Sequence, residues 1–247
     1  MKLNKPFKEF KIVAHRGFSE QFPENTREAY QAALSRHIDM LEIDLHMTRD
    51  GALVAIHDES IDRTSNSKGD VASYTLEKLR GFDFGSWKKG HKEAEIMTFD
   101  EVLKLCKNYS KTLLIEIKNP KKYPGIEKAV IQKIKNAQFP YYRVIIQSFD
   151  MNSVQTFRTL TPYIQTGVLI SKRKYWLKQP PFKDIASYAD YINPNYKLAN
   201  RKFIKRAHSE NLKVIPYTVN DMKIAKKLIQ RGVDGLITDA PSRLFKL

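Results

Sequence analysis

Residues Met40 to Asp58 read MLEIDLHMTRDGALVAIHD. Side chains alternate along a strand, so Glu42 and Asp44 share one face while Leu41, Ile43 and Leu45 share the other. Asp50-Gly51 is a strong two-residue hairpin signal, and Leu53 to Ile56 reads as the returning strand. With those two residues as the loop, Arg49 pairs with Ala52 and Asp44 lies opposite His57. Directly opposed residues have Cβ atoms roughly 5 Å apart, so this register gathers Glu42, Asp44 and His57. A loop one residue longer slips the register and puts His57 on the other face.

Outward from this hairpin the chain alternates strands and helices. Lys11 to His15 is a buried strand ending in His15-Arg16-Gly17, and Asn25 or Thr26 caps a helix running to about Arg36. Strands follow at Thr112–Lys118, Arg143–Ser148, Gln165–Ile170, Tyr191–Pro194, Lys213–Val219 and Gly235–Thr238. Helical periods over 99–106, 125–136, 153–160, 201–210 and 221–230 separate them, with a short helix before Tyr191. Eight strands alternating with helices over 247 residues predict a (β/α)8 TIM barrel in one domain spanning 1–247. An open doubly wound sheet is the alternative. Glu59 to Met97, rich in Ser, Gly and charge, reads as a small insertion after the second strand, with a short helix near Thr75–Arg80 and Phe82, Phe84 and Trp87 as its own core.

The chain has 43 Lys and Arg against 27 Asp and Glu, a net charge of +16. Such a field attracts an anionic partner: a phosphorylated substrate, a membrane surface or nucleic acid. No zinc-finger spacing, RNP-like aromatic motif or basic tail supports nucleic acid as the main partner. Lys172, Arg173, Lys174, Trp176 and Lys178 form a basic, aromatic loop suited to an anionic headgroup or a membrane surface, and equally readable as a solvated loop. The single cysteine, Cys106, excludes an intrachain disulfide and falls on the buried side of a helical pattern. No apolar run is long enough for a secretory signal or a membrane span, so a cytoplasmic soluble protein is expected; the oligomeric state is not legible.

In a barrel, the C-terminal ends of the strands carry the chemistry. His15-Arg16, Glu42 and Asp44, Glu116 and Lys118, and Gln147 all fall there. Three carboxylates meeting in a half-buried pocket repel one another unless a cation neutralises them. An all-oxygen set of Glu42, Asp44 and Glu116 suits a hard divalent ion, Mg²⁺, Ca²⁺ or Mn²⁺, rather than zinc. His15 and His57 titrate near neutrality and supply one general acid and one general base. Arg16 and Lys118 can bind phosphate oxygens. Singly, a histidine or carboxylate at a strand end is ordinarily structural; their joint placement points to a site for phosphodiester cleavage. His46 shares the acidic face but lies further into the turn, and His91 and His208 read as surface residues.

These residues sit within a longer ordered series: His15-Arg16-Gly17, Pro23-Glu24-Asn25-Thr26, Glu42-x-Asp44, Thr48-x-Asp50-Gly51, His57-Asp58, Arg63-Thr64, Glu116-x-Lys118, Gln147-Ser148-Phe149 and Thr238-Asp239-x-Pro241. The series resembles the glycerophosphodiester phosphodiesterase family and covers almost the whole chain. The resemblance implies an α/β barrel with a small insertion after the second strand. It implies a divalent ion on Glu42, Asp44 and Glu116, acid/base work by His15 and His57, and phosphate contacts from Arg16 and Lys118. The implied reaction yields sn-glycerol 3-phosphate and an alcohol through attack of the glycerol 2-hydroxyl and hydrolysis of the cyclic phosphate. Tyr217 replaces the family's usual Trp, and Met97-Thr98-Phe99 its usual Pro-Thr-Leu. Asn195 and Tyr217 are candidate pocket residues.

Three rivals stay open at this level. One is a lysophospholipase D-like phosphodiesterase with an apolar trough built from Phe82, Phe84, Trp87 and Trp176. Another is a basic lipid- or polymer-binding protein on an inactive barrel, and the third a metal-dependent hydrolase of an unrelated substrate, weakened by the lack of a His-x-His pair.

Overall fold

The structure is a computed structural model and describes residues 9–244; most of the polar lead-in before the first strand lies outside the described residues. The strands are β1 (Lys11–Ala14), β2 (Met40–Met47), β3 (Leu53–Ala55), β4 (Thr112–Ile117), β5 (Val144–Ser148), β6 (Gln165–Ile170), β7 (Tyr191–Pro194) and β8 (Gly235–Thr238). The helices are α1 (Arg27–Leu34), α2 (Leu76–Arg80), α3 (Phe99–Lys107), α4 (Ile126–Asn136), α5 (Met151–Leu160), α6 (Lys172–Tyr175), α7 (Phe182–Ala186), α8 (Arg201–Ser209), α9 (Met222–Gln230) and α10 (Pro241–Leu244). Seven parallel strands pair in the order β7-β6-β5-β4-β2-β1-β8, and β3 runs antiparallel beside β2. The fold is a TIM barrel with an insertion after its second strand.

One expected strand is irregular. Lys213 to Val219 makes only isolated bridges, Tyr191 to Lys213 and Asn195 to Tyr217, because Pro216 has no N–H to give a ladder. The Ile215 N–H is taken instead by the side-chain oxygen of Asn193, at 3.1 Å. The segment still closes the barrel: Tyr217 N–H donates to Pro194 on one side, and Ile237 N–H donates to Pro216 on the other, each at 3.0 Å.

The hairpin also differs from its expected register. Thr48 N–H donates to Ala52 at 2.9 Å, and Leu45 is the partner of Ala55. The loop is therefore Arg49-Asp50-Gly51, three residues long. Thr48 and Asp50 build it through their own side chains: Thr48 Oγ1 donates to Asp50 Oδ1 at 2.6 Å and accepts from Ala52 N–H at 2.9 Å. Gly51, at φ +82°, supplies the left-handed residue that such a three-residue loop requires. Asp44 consequently faces Ile56, not His57, and the cross-strand pairing of Asp44 with His57 does not exist. His57 nevertheless stays near Asp44, because β3 ends at Ala55 and the chain bends before alternation can decide the side.

Alternation explains how the remaining strands serve the site. Val13, Met40, Leu114, Ile145, Tyr191, Ile215 and Ile237 form one buried cluster in the barrel interior. Two residues further along each of these segments stand His15, Glu42, Glu116, Gln147, Asn193, Tyr217 and Asp239. A period of two keeps each polar residue on the same inner face, one layer nearer the C-terminal mouth. The apolar layer is the floor on which the polar layer stands. The larger core lies between the sheet and its helices, where Tyr30, Phe99, Val102, Ile126, Val130 and Phe157 are buried.

The insertion leaves and returns at one point, since Ala55 N–H donates to Met97 at 2.8 Å and Val54 bridges Thr98. Ile56, Ile61, Val71, Leu79, Phe84 and Ile96 form its private core, with Phe82 packed against it. Trp87 lies at its edge, 37% exposed, its indole N–H on the Phe84 carbonyl at 3.0 Å. Phe82 and Phe84 therefore do not line an apolar trough. Cys106 is buried on α3 as expected, and burial pushes its thiol up to about 12.

Candidate active site

Oxygens of Glu42, Asp44 and Glu116 lie within 4.8 Å of one another, and all three residues are buried. Glu42 Oε2 accepts the Arg16 backbone N–H at 2.8 Å, while its Oε1 is buried with no hydrogen-bond partner. Arg16 reaches this position at φ +56°, a left-handed turn that aims its N–H inward. Lys118 holds its ammonium 2.6 Å from Glu116 and 3.6 Å from Asp44.

Burial, then the charges of Asp44 and Glu116, push the Glu42 carboxyl well above the usual range. Burial also acts to raise Asp44, but Lys118 and Arg16, followed by His57 and His15, outweigh it and hold that carboxyl well below the usual range. The cluster is thus short of positive charge at Glu42. An orphaned buried carboxylate oxygen beside two further carboxylates fits a divalent cation; these three residues can hold one.

Each expected histidine has an aspartate on Nδ1. His15 lies 2.6 Å from Asp239 and His57 lies 2.6 Å from Asp58. Among the described residues neither Nε2 has a hydrogen-bond partner, so on both rings that atom is the one left to exchange a proton. Burial pulls the His57 pKa down, opposed by Asp44 and supported by Lys118. Asp239, despite its burial, is held at about 2 by its hydrogen bond and charge contact with His15 and by Asn220.

A chain of alternating charges joins His57 to the acidic cluster. Arg63 donates to Asp58 at 2.6 Å and twice to Glu24 at 2.8 Å. Arg16 donates to Glu24 at 2.9 Å and sets its Nε 3.2 Å from Asp44. Asn25 does not cap α1. Thr26 does, and the Asn25 amide instead donates to Asp44 Oδ2 at 3.0 Å while Tyr30 donates to its carbonyl oxygen at 2.8 Å. Glu24, Asp58, Arg63 and Asp239 are candidate-site residues that stand in the sequence motifs without an expected role, and Asn25 is one expected only as a helix cap. The signal was there in Pro23-Glu24-Asn25-Thr26 and in the His57-Asp58 pair.

Gln147 is buried beside Glu116 on the next strand and accepts from Asn193 at 2.8 Å. Tyr217 donates to the Ile170 carbonyl at 3.1 Å and meets Phe149 edge-on at 5.9 Å, and burial and Glu116 raise its pKa. Asn195 pairs its backbone with Tyr217, but its side-chain oxygen caps the turn at 196–198. His46 is buried, not at the pocket: its Nδ1 meets Tyr123 Oη at 2.8 Å and its Nε2 the His57 carbonyl at 3.1 Å. His91 is no free surface residue either; only 16% of its side chain is exposed, and it pairs with Glu28 at 3.0 Å. His208 is exposed and pairs with Asp234.

A model of the glycerophosphoryl diester phosphodiesterase family matches residues 15–243. The chain belongs to that family. The matched span runs from His15 past Asp239, so this phosphodiesterase carries the whole candidate site inside the family match. YhdW of Bacillus subtilis strain 168 is 40% identical over 238 residues, covering 95% of this chain and 96% of that protein. A glycerophosphodiester phosphodiesterase of Bacillus altitudinis is 37% identical, covering 96% and 97%. Among solved structures, an Oleispira antarctica phosphodiesterase in complex with the product sn-glycerol-3-phosphate has a TM-score of 0.86 at 25% identity, covering 96% of this phosphodiesterase and 95% of that chain.

Proposed function

We propose that this enzyme hydrolyses glycerophosphodiesters to sn-glycerol 3-phosphate and an alcohol by histidine acid/base catalysis at a divalent-cation site. The observation that carries the reading is the pair His15–Asp239 and His57–Asp58, both histidines acting on the buried carboxylate of Asp44. An aspartate on Nδ1 fixes the tautomer and keeps Nε2 for proton transfer.

His57, whose pKa is pulled down, starts neutral and takes the proton of the glycerol 2-hydroxyl as that oxygen attacks phosphorus. His15, its Nδ1 held by Asp239, gives a proton from Nε2 to the departing alcohol oxygen as the P–O bond breaks. The resulting cyclic phosphate is opened by water, with the two histidines exchanging roles. Lys118 and Arg16 hold positive charge beside the phosphoryl oxygens. Glu42, Asp44 and Glu116 would hold Mg²⁺, Ca²⁺ or Mn²⁺, which would supply further positive charge to those oxygens.

The test is release of glycerol 3-phosphate from glycerophosphocholine, glycerophosphoethanolamine and glycerophosphoglycerol by chelator-stripped protein, with each ion added back. Metal-restored turnover on at least one diester is expected. Full turnover in the stripped protein would remove the ion from the mechanism, and no turnover with any pairing would overturn the substrate.

A further inference from the structure

We propose that the loop after β6 docks this enzyme on an anionic lipid surface, with its barrel mouth facing the membrane. The observation is an apolar tip inside a basic collar. Trp176 is 58% exposed and Leu177 94% exposed, adjacent in sequence and following the short helix α6. Two adjacent large apolar side chains this exposed, rimmed by charged residues, form the kind of patch that marks an interaction surface.

The collar consists of Lys172, Arg173, Lys174 and Lys178 on the same loop, with Lys197 and Lys202 across a cleft of about 380 Å³. Between Ser171 and Lys183, and again between Tyr191 and Ser209, the sequence contains no Asp or Glu. Among the described residues none of these six cations is paired with a carboxylate. Several lie over aromatic rings instead: Lys172 over Trp176 at 4.4 Å, Lys178 over Tyr175 at 5.7 Å and Lys197 over Tyr196 at 5.8 Å. An indole that sits at headgroup depth with ammonium groups around it matches the chemistry of an anionic bilayer interface, apolar below and negative above.

The position agrees with that partner. The loop starts at Ser171, one residue beyond Ile170, whose carbonyl accepts from Tyr217 at the pocket wall. Phe149, after β5, is 43% exposed and packs against Tyr217 at the same end of the barrel. Docking through Trp176 and Leu177 therefore brings the mouth to the surface. Tyr142 and Tyr163, 79% and 75% exposed, precede β5 and β6 and lie at the opposite end; they provide an internal control.

The experiment is co-sedimentation of the full chain with vesicles of phosphatidylcholine alone and of phosphatidylcholine mixed with phosphatidylglycerol. In a Trp87→Phe background, Trp176 emission is recorded alongside. The protein is expected to partition onto the anionic vesicles at least tenfold more than onto the neutral ones, with blue-shifted Trp176 emission and weakening in high salt. Trp176→Ser with Leu177→Ser, and separately Lys172→Glu with Lys174→Glu, should each lower partitioning about tenfold or more. Tyr163→Ser should leave it unchanged, and hydrolysis of a soluble diester should be equal in all variants. The proposal is overturned if anionic vesicles do not bind the protein, or if the Trp176/Leu177 variant binds them as well as the parent. Binding of soluble polyphosphate that is indifferent to Trp176 and Leu177, without vesicle binding, would assign the basic collar to a polyanion instead.

Discussion

His15 Nδ1 and Asp239 Oδ1 lie 2.6 Å apart across 224 positions of sequence. The contact joins the first barrel strand to the last, and Ser19 Oγ and Asn220 Nδ2 donate to the same carboxylate at 3.1 and 2.6 Å. His57 and Asp58 repeat the arrangement between neighbours in sequence.

Replacement of Asp239 by Asn should therefore free the His15 tautomer and remove the carboxylate that orients its ring. A fall in kcat of about 100-fold or more is expected, within the range of general acid/base contributions, with KM little changed. Asp58→Asn should act on His57 in the same way, and His15→Ala and His57→Ala should each abolish measurable turnover while the circular dichroism spectrum stays native. Retention of near-parental kcat by Asp239→Asn would show that His15 does not transfer a proton.

The acidic cluster predicts opposite effects of one substitution with and without ion. In chelator-stripped protein, Glu42→Gln should melt no lower than the parent, since the parent carboxyl is already pushed toward its neutral form by burial, Asp44 and Glu116. With ion at a hundredfold excess over its Kd the parent gains about 2.7 kcal/mol, and the variant should gain much less. Equal ion-induced shifts in melting temperature for parent and variant would take Glu42 out of the ion site.

His46 makes acid stability a measurable property. Burial drops its pKa to about 4, below the ordinary value of 6.5, so below pH 6.5 the unfolded chain takes up a proton that the folded chain refuses. Stability is complete above the ordinary value and is lost as pH falls toward 4, by up to about 3 kcal/mol from this residue. His46→Asn should flatten that decline when urea midpoints are compared from about pH 7 to about pH 4.5. Because His46 also holds the His57 carbonyl, kcat should fall in the same variant; an unchanged pH slope would contradict the buried neutral imidazole.

Gly17 marks a close approach rather than a chemical role. It sits at φ +84°, and a Cβ there would lie 2.7 Å from the Ala29 backbone carbonyl. Gly17→Ala combines about 1–2 kcal/mol for the left-handed conformation with about 1–3 kcal/mol for the clash. A large drop in melting temperature is expected, along with displacement of Arg16. A variant as stable as the parent would mean that α1 shifts away from β1 at no cost.

The candidate site was legible where a single periodicity governs it. Alternation placed Glu42 with Asp44 and Glu116 with Lys118, and position along each strand put His15 and Gln147 at the mouth; these depend only on the two-residue repeat of a strand, which the residues carry themselves. The order of strands and helices, and hence the barrel, followed from the same patterning. Tertiary structure decided whatever depends on how segments meet. The hairpin register turned on the side chains of Thr48 and Asp50, which lengthened the loop by one residue and moved Asp44 from His57 to Ile56. His57 came to the site through the bend after Ala55, a local departure no period describes. Asp239 found His15, and Glu24 tied Arg16 to Arg63, only because the barrel closes and the insertion folds back on α1. The sequence by itself determined which side chains face inward, because that is a property of each strand; only the closed barrel decided which of them touch, because contact is a property of several strands at once.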